Sequence, residues 1–194
     1  MEVIPLGSTC SIAYQLRSLG LRNYAYPFDW VRINNLSLVT KLIETNFEDF
    51  LDQNEFKLNK ISKEFDVNGN MLSYIYENKF CKFYHDFEAD ITEDTFNDFS
   101  KKYKRRIDRL INIIKTSEKL LFVREEIGNL SQNKINKFMN VIRKINPNLN
   151  FSLKIIVNNR KYVAFSSGNV EIIYSDKKVN NWRRPEIDWN NIFS

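Results

Sequence analysis

Apolar residues recur along this chain in two different periods, and the helical period dominates its second half. Apolar positions step by three and four over 92–116 and again over 131–145, which predicts two long amphipathic helices. The segments 120–123 and 151–157 are short apolar runs, which favours buried strands. Helices that alternate with buried strands indicate an α/β layer arrangement with parallel strand pairs.

The chain begins with a pattern of strand, polar turn and helix. The apolar run 2–6 predicts a buried strand, and the polar turn that starts at Gly7 leads into apolar residues at helical spacing. Gly20 lies where a helix C-terminal cap is expected. Cys10 is therefore predicted at a helix N-terminus, where unpaired amides and the helix dipole both favour a thiolate over a thiol. The alternative is a buried cysteine that only packs.

Between these two regions the pattern changes from helix to strand. Residues 36–50 predict an amphipathic helix. The Asn-Gly pair at 68–69 indicates a hairpin, and the aromatic and β-branched runs 71–76 and 79–84 predict antiparallel strands. His85, the only histidine, follows the second run directly.

The C-terminal part predicts two further strands, at 162–165 and 170–174, and an aromatic tail at 182–193 that docks on the rest of the chain. No repeat or linker divides the sequence. We therefore predict a single domain over 1–194 of the α/β class, with a mostly parallel central sheet flanked by helices and an antiparallel hairpin insertion.

Composition narrows the class without naming a partner. The 194 residues are 43% hydrophobic with 5 Gly and 4 Pro, which is typical of a folded globular protein. No apolar run is long enough to span a membrane, and no secretory signal is evident, so a cytoplasmic or other reducing compartment with unpaired cysteines is expected. The net charge of +5 permits an anionic partner, but abundant Lys and Asn are also typical of AT-rich coding sequence, so nucleic acid is disfavoured as a partner although the charge does not exclude it.

Cys10 and His85 are the candidate catalytic pair. A thiol nucleophile needs a base within hydrogen-bond reach, and the base usually needs an orienting group. Asp86, which follows the histidine, and Asp29, which lies in an aromatic loop, are the candidates for that group. The alternatives are a surface histidine and an Asp29 that only caps a turn.

A second set of side chains is expected to bind substrate. Arg124 extends the buried run 120–123, and the end of an α/β strand is a common ligand position. Its planar guanidinium suits a carboxylate or phosphate. Phe28 and Trp30 suggest an aromatic wall. The full predicted set is Ser8, Thr9, Phe28, Trp30, Arg106 and Arg124.

No metal or cofactor is expected from the sequence. One histidine and two cysteines at distant spacing match no zinc ligand pattern. Neither a P-loop nor a glycine-rich dinucleotide motif follows the first strand.

Two N-terminal motifs resemble a known family. They are LGSTCSIAYQL at 6–16 and YPFDW at 26–30, and similarity continues at 85–87, 103–109, 121–124 and Trp189. The chain resembles the DUF1796 family, described as "putative papain-like cysteine peptidase". The resemblance implies Cys10 as nucleophile and His85 as base. It also implies a papain-like α+β fold as the alternative to α/β.

Three functions are therefore open. The first is a cysteine peptidase or related thiol hydrolase acting on a peptide or other acyl bond of a protein or peptide. The second is a glycan-related transferase or accessory protein that binds a sugar phosphate through Arg106 and Arg124. The third is a noncatalytic basic module that binds nucleic acid or a protein.

Overall fold

Two four-stranded sheets form the framework. The computed structural model describes residues 1–66, 69–158, 168–175 and 181–194, with side chains described outside 63–72. The parallel sheet has the order β1 (Glu2–Pro5), β6 (Lys119–Glu126), β7 (Asn150–Val157) and β8 (Val170–Tyr174). The antiparallel sheet has the order β2 (Val31–Arg32), β5 (Lys82–Phe83), β4 (Gly69–Glu77) and β3 (Lys57–Asp66).

Helices flank both sheets. They are α1 (Ser11–Ser18), α2 (Leu36–Glu44), α3 (Glu93–Thr116), α4 (Gln132–Ile145) and α5 (Trp189–Phe193), with a short 3-10 turn at Gln53–Glu55. The predicted α/β class with a parallel sheet and an antiparallel insertion is confirmed. Among the described helices, none combines the length and the apolar character needed to cross a bilayer.

The helices α2 and α3 begin at residues whose side chains cap the helix. The hydroxyl of Thr92 accepts a hydrogen bond from the backbone of Thr95, whose own hydroxyl accepts from the amide of Thr92, so a capping box starts α3. Asn35 caps α2 in the same sense. The prediction of one helix over 36–50 is wrong at its end, because Asn46 and Phe47 adopt left-handed φ angles of 50° and 60°.

The parallel sheet lies between two apolar layers. Against one face pack α1 and the C-terminal α5, so the predicted docking of the aromatic tail is confirmed. The opposite face packs in one larger cluster with side chains of α2, α3, α4 and the antiparallel sheet. Burying apolar surface on both sides explains the consecutive apolar residues at 120–123 of β6 and 155–157 of β7.

Some of the other predicted strands are confirmed, and one lies outside the described residues. The strand at 170–174 is confirmed, whereas the one predicted at 162–165 lies outside the described residues. The predicted hairpin is confirmed in its strands, because β3 pairs antiparallel with β4 and Asp66 lies opposite Gly69. Its Asn68 lies outside the described residues.

Two loops are brought together by this arrangement. The loop 7–10 follows β1 at the edge where β6 also ends, and the amide of Leu6 still donates to the carbonyl of Val123 at 2.8 Å. The loop 84–87 follows the short β5 of the second sheet. Its Phe87 carbonyl accepts from the amide of Tyr74 at 3.0 Å, which holds the loop against β4.

Candidate active site

Cys10 and His85 face each other although 75 residues separate them. The Sγ atom of Cys10 lies 3.6 Å from Nε2 of His85, within hydrogen-bond reach of a sulfur atom. Cys10 directly precedes α1 as its N-terminal cap residue, and His85 lies two residues beyond β5. Cys10 is half-buried and His85 is exposed, so the pair is accessible from solvent.

A tight turn places Cys10 at the start of α1. Gly7 has a φ of +71°, and a side-chain Cβ there would lie 2.9 Å from Cγ2 of Ile33 and 3.1 Å from the carbonyl oxygen of Phe28. Only glycine fits this position without displacing its neighbours. Ser8 follows with a φ of 87° and is fully buried, so the backbone is strained two residues before the candidate nucleophile.

Beneath this turn lies Glu125, a carboxylate that is 4% exposed. Thr9 Oγ1 and Ser11 Oγ each donate to its Oε2 at 2.9 Å, and Nη1 of Arg184 donates to its Oε1. Sequence reasoning missed both Glu125 and Arg184. The available signal was an acidic pair at the end of a strand in an α/β sheet.

The two predicted wall residues point in opposite directions. The ring of Trp30 meets the His85 ring edge-on with centroids 6.1 Å apart, and the guanidinium of Arg22 lies 5.6 Å from the centroid of the Trp30 ring. Phe28 instead points into the core, stacked on Phe47 at 5.5 Å. Of the two aromatics, Trp30 therefore borders the site and Phe28 does not.

Asp29 holds the loop that carries Trp30. It is 1% exposed and accepts hydrogen bonds from the guanidinium of Arg22 and from the amide of Tyr26 at 3.1 Å. Burial raises the pKa of Asp29, and its bonds to Arg22 oppose that shift. The structure gives Asp29 no hydrogen bond to His85, so the predicted orienting contact is corrected to a contact within the loop.

Asp86 is also turned away from its neighbour in sequence. Its carboxylate accepts from Nζ of Lys102 at 2.6 Å and from the hydroxyl of Tyr103 at 3.0 Å, both on α3. Burial, followed by the Asp86 charge, raises the pKa of Tyr103. Asp86 therefore fixes the loop of His85 onto α3, and its predicted contact with the imidazole is absent from this geometry.

Arg124 lies in the interior rather than at an open strand end. It is 0% exposed, and its guanidinium donates to Oε2 of Glu126 at 2.9 Å and to the carbonyls of Leu6 at 2.8 Å and Ile33 at 3.1 Å. Burial lowers the pKa of Arg124. Its predicted position is corrected because β6 continues through residue 126. A ligand does not reach this guanidinium.

The remaining predicted residues are only partly accessible. Arg106 is half-buried on α3 with its guanidinium carbon 5.1 Å from the centroid of the Tyr103 ring. Within the described residues, Nε and Nη1 of Arg106 and Oγ of Ser8 are buried without a hydrogen-bond partner. Thr9 is half-buried and directed at Glu125, as described above. Neither Ser8 nor Thr9 presents its hydroxyl to an open surface.

Cys10 and Cys81 are not joined by a disulfide, which agrees with the prediction of unpaired cysteines. Cys81 is 4% exposed and packs in the core, and it immediately precedes β5, so it lies outside the observed strand although the run 79–84 predicts a strand through it. In the part of the chain that the structure describes, no three His, Cys, Asp or Glu side chains cluster as potential metal ligands.

Comparisons with known proteins identify the family. The chain is 31% identical over 212 residues to "Uncharacterized protein R408" of Acanthamoeba polyphaga mimivirus, an alignment that covers 97% of this chain and 95% of that protein. No solved structure gives a significant match. The sequence model of the family described as "Putative papain-like cysteine peptidase (DUF1796)" matches residues 1–161. The chain therefore belongs to the DUF1796 family.

Proposed function

We propose that this protein is a thiol hydrolase in which Cys10 is the nucleophile and His85 the general base, acting on a peptide or other acyl bond. The observation that carries the proposal is the 3.6 Å separation of Cys10 Sγ and His85 Nε2 at the start of a helix. A nucleophile and a base within hydrogen-bond reach are the minimum that covalent acyl transfer requires. The family description points to the same chemistry.

The proposed reaction has two halves. Nε2 of His85 takes the proton of the Cys10 thiol, and the thiolate sulfur attacks the carbonyl carbon of the substrate. The tetrahedral intermediate collapses to a thioester as the imidazolium gives its proton to the leaving group. A water molecule, deprotonated by His85, then cleaves the thioester and regenerates the thiol.

The oxyanion of each intermediate would be stabilised by amides at the start of α1. The first N–H groups of a helix lack intrahelical acceptors, and the helix dipole adds positive potential there. Tyr14 is the first residue of α1 whose amide bonds back within the helix, to the carbonyl of Cys10 at 3.0 Å. The Ser11 amide donates to Oγ1 of Thr9 at 3.5 Å, so the amides of Ile12 and Ala13 would be the donors to the oxyanion. Such fixed donors supply much of the rate enhancement in acyl transfer.

Trp30 supports the base in this proposal. Its ring borders the imidazole, and the Asp29–Arg22 pair beneath it fixes the loop on which it lies. A large apolar wall beside an exposed imidazole lowers the local access of water and offers a surface to the substrate. The sugar-phosphate alternative loses one of its two arginines, because the Arg124 guanidinium is fully buried.

The test is the pH dependence of Cys10 alkylation by iodoacetamide, read at the level of the Cys10 peptide by mass spectrometry. For the native protein we expect an apparent pKa clearly below the value of about 8.5 for free cysteine, because an imidazolium and a helix N-terminus both stabilise the thiolate. His85→Ala removes the imidazolium, so the apparent pKa should rise by about one unit, which is about a tenfold loss of thiolate at low pH.

Glu88→Ala is the matched control, because Glu88 is an exposed residue of the same loop region. It should leave the alkylation profile as in the native protein. Hydrolysis of a mixed peptide library should disappear in both Cys10→Ala and His85→Ala. An alkylation profile that His85→Ala leaves unchanged would overturn the proposal.

A further inference from the structure

We propose that Glu125 and Arg184 are positioning residues for Cys10, and that the C-terminal segment 181–194 is thereby part of the support of the nucleophile. The inference rests on the proposed function. It assigns to a buried ion pair the task of fixing the two residues on either side of Cys10. Arg184 lies beyond residues 1–161, the part matched by the family model.

The first step concerns the turn around Cys10, which we call the nucleophile turn. The hydrogen bonds of Thr9 and Ser11 to Glu125 hold this turn, and we call them the clamp. Thr9 and Ser11 immediately flank Cys10, and their hydroxyls both reach the same carboxylate oxygen, Oε2 of Glu125, at 2.9 Å. The two hydroxyl oxygens are themselves 2.8 Å apart. One buried atom therefore fixes the chain before and after Cys10, and with it the direction of the Cys10 side chain. Hydrogen bonds to an ionised acceptor are stronger than neutral ones.

The second step is the hold on Glu125 itself. Arg184 is 1% exposed and contacts the other oxygen of Glu125 through Nη1. Its Nη2 donates to the Ser175 hydroxyl at 2.9 Å and its Nε donates to Glu186 at 2.6 Å. The guanidinium is thus fixed from three sides, which orients the Glu125 carboxylate toward the turn.

The backbone around Arg184 is built to bring the guanidinium inward. Arg184 has a left-handed φ of 52°, and its carbonyl accepts from the indole N–H of Trp189 at 2.8 Å. Trp189 packs in the apolar layer that also contains Ile12 of α1. The segment is therefore anchored on the same helix that Cys10 begins.

A second contact joins the segment to α1 directly. The side-chain amide of Gln15 donates to the carbonyl of Arg183 at 2.5 Å, and the Arg183 guanidinium lies 5.1 Å from the centroid of the Tyr14 ring. Trp182 meets the same ring edge-on at 5.1 Å. The first turn of α1 and the nucleophile turn are thus held from one segment.

Charge gives the ion pair a second consequence for the thiol. An unpaired carboxylate beneath the turn would oppose ionisation of the neighbouring Cys10, because a like charge disfavours the charged form. The guanidinium of Arg184 contacts that carboxylate and also pairs with Glu186. The arrangement keeps the hydrogen-bond acceptor and reduces its unfavourable field at the thiol.

The experiment removes the clamp while keeping the ion pair. The double variant Thr9→Val/Ser11→Ala lacks both hydroxyls that donate to Glu125, and Thr40→Val is the control because the Thr40 hydroxyl is buried and donates only to a backbone carbonyl in α2. Each protein is checked for native circular dichroism and then alkylated with iodoacetamide as a function of pH. The double variant should raise the apparent pKa of Cys10 by about half a unit, which is about a threefold loss of thiolate.

A second pair of variants tests the contribution of the C-terminal segment. Arg184→Lys keeps the charge but cannot contact Glu125, Glu186 and Ser175 together, so it should shift the profile of Cys10 in the same direction. Ser175→Ala removes only one hydrogen bond of the Arg184 guanidinium and should shift the apparent pKa of Cys10 less. In the background of Thr9→Val/Ser11→Ala the Arg184→Lys change should add little, because the two act through one clamp.

Two outcomes separate this inference from the proposed function. If the folded double variant and Ser175→Ala both keep the native profile while His85→Ala shifts it, the dyad stands and the positioning role is wrong. If the double variant shifts the profile while His85→Ala does not, the clamp acts on the thiol but the proposed base is wrong. A shift in Thr40→Val equal to that of the double variant would also overturn the positioning role.

Discussion

The two sides of the candidate site are supported in opposite ways. Cys10 lies above a layer of buried charges, in which Glu125 and Arg184 are 4% and 1% exposed. His85 lies on an exposed loop, and its described ring neighbours are the aromatic residues Trp30 and Tyr84. The nucleophile is therefore held by directional hydrogen bonds, whereas the base is bordered by apolar surface.

The parallel sheet and the antiparallel sheet therefore support the two candidate catalytic residues in different ways. Buried ions are costly unless every charge is paired and hydrogen-bonded, so the charges at the end of β6 specify one backbone geometry. Ring contacts are far less directional and tolerate small rotations of an exposed imidazole. We infer that the parallel sheet fixes where the sulfur lies and that the antiparallel sheet delivers a base that can adjust to it.

The largest effect in this comparison is expected at Arg124. Arg124→Met leaves the Glu126 carboxylate without its guanidinium and removes the donors to the carbonyls of Leu6 and Ile33. Breaking a buried ion pair in this way costs about 3–5 kcal/mol in the free energy of unfolding. Urea denaturation followed by circular dichroism measures the loss.

Two control variants sharpen that result. Arg105→Met makes the same substitution at an exposed position of α3, and His85→Ala changes the exposed side of the dyad. Each should alter the free energy of unfolding by no more than about 0.5 kcal/mol, as is usual for surface substitutions. If Arg124→Met and Arg105→Met lowered the free energy of unfolding equally, the contrast between the Cys10 side, supported by buried charges, and the His85 side, bordered by aromatic rings, would be wrong.

The interior position of Arg124 also shows where sequence patterns stop being informative. The run 120–123 predicts a buried strand, and a charged residue after it normally marks the strand end. In the structure β6 extends to Glu126, because side chains alternate and Arg124 pairs with Glu126 on one face while Glu125 faces the turn on the other. The other partners of Arg124, the carbonyls of Leu6 and Ile33, are distant in sequence, as are the hydroxyls that bind Glu125, so no local pattern contains them.

The next largest effect concerns the two thiols. Cys81 is buried, and burial together with the nearby Asp86 charge raises the pKa of its thiol, so at any given pH its thiolate fraction is lower than that of an ordinary cysteine. Cys10 is accessible and lies at a helix N-terminus. Cys10 should therefore react with iodoacetamide at least about a hundredfold faster, since Cys81 reacts only after local opening.

The pH dependence of the two thiols should differ as well. Labelling of Cys10 should reach its plateau below the pH at which free cysteine does, whereas labelling of Cys81 should still rise above that pH because its thiolate is disfavoured. In urea-unfolded protein the two rates should converge. If Cys81 were labelled faster than Cys10 in the native protein, the assignment of Cys81 as the buried and less reactive thiol would be wrong.

The sequence predicted an aromatic loop at 26–30, but it did not predict which aromatic side chain faces the candidate site. Pro27 and the large side chains around it predict an extended segment with a wall, and Trp30 does border His85. Which aromatic faces the site depends on the partners of the loop: Phe28 stacks on Phe47 in the core, and the pair of Asp29 with Arg22 fixes the backbone between them. The Cys10–His85 proximity was inferred from residue types, and the run 79–84 that His85 follows was visible in the sequence.

The smallest effect is expected at Asp86, the carboxylate next to the base in sequence. Asp86→Asn keeps an oxygen that can accept from Lys102 or Tyr103 but removes the charge, so stability should fall by about 1 kcal/mol, within the range for hydrogen bonds to charged groups. Because this carboxylate faces α3 rather than the imidazole, the alkylation rate of Cys10 at each pH should change by less than about twofold. The measurement is the same iodoacetamide profile, with Lys102→Met as the matched variant that removes the other half of the ion pair. If Asp86→Asn raises the apparent pKa of Cys10 while Lys102→Met does not, Asp86 orients His85 in solution and the base is supported by charge on its side as well.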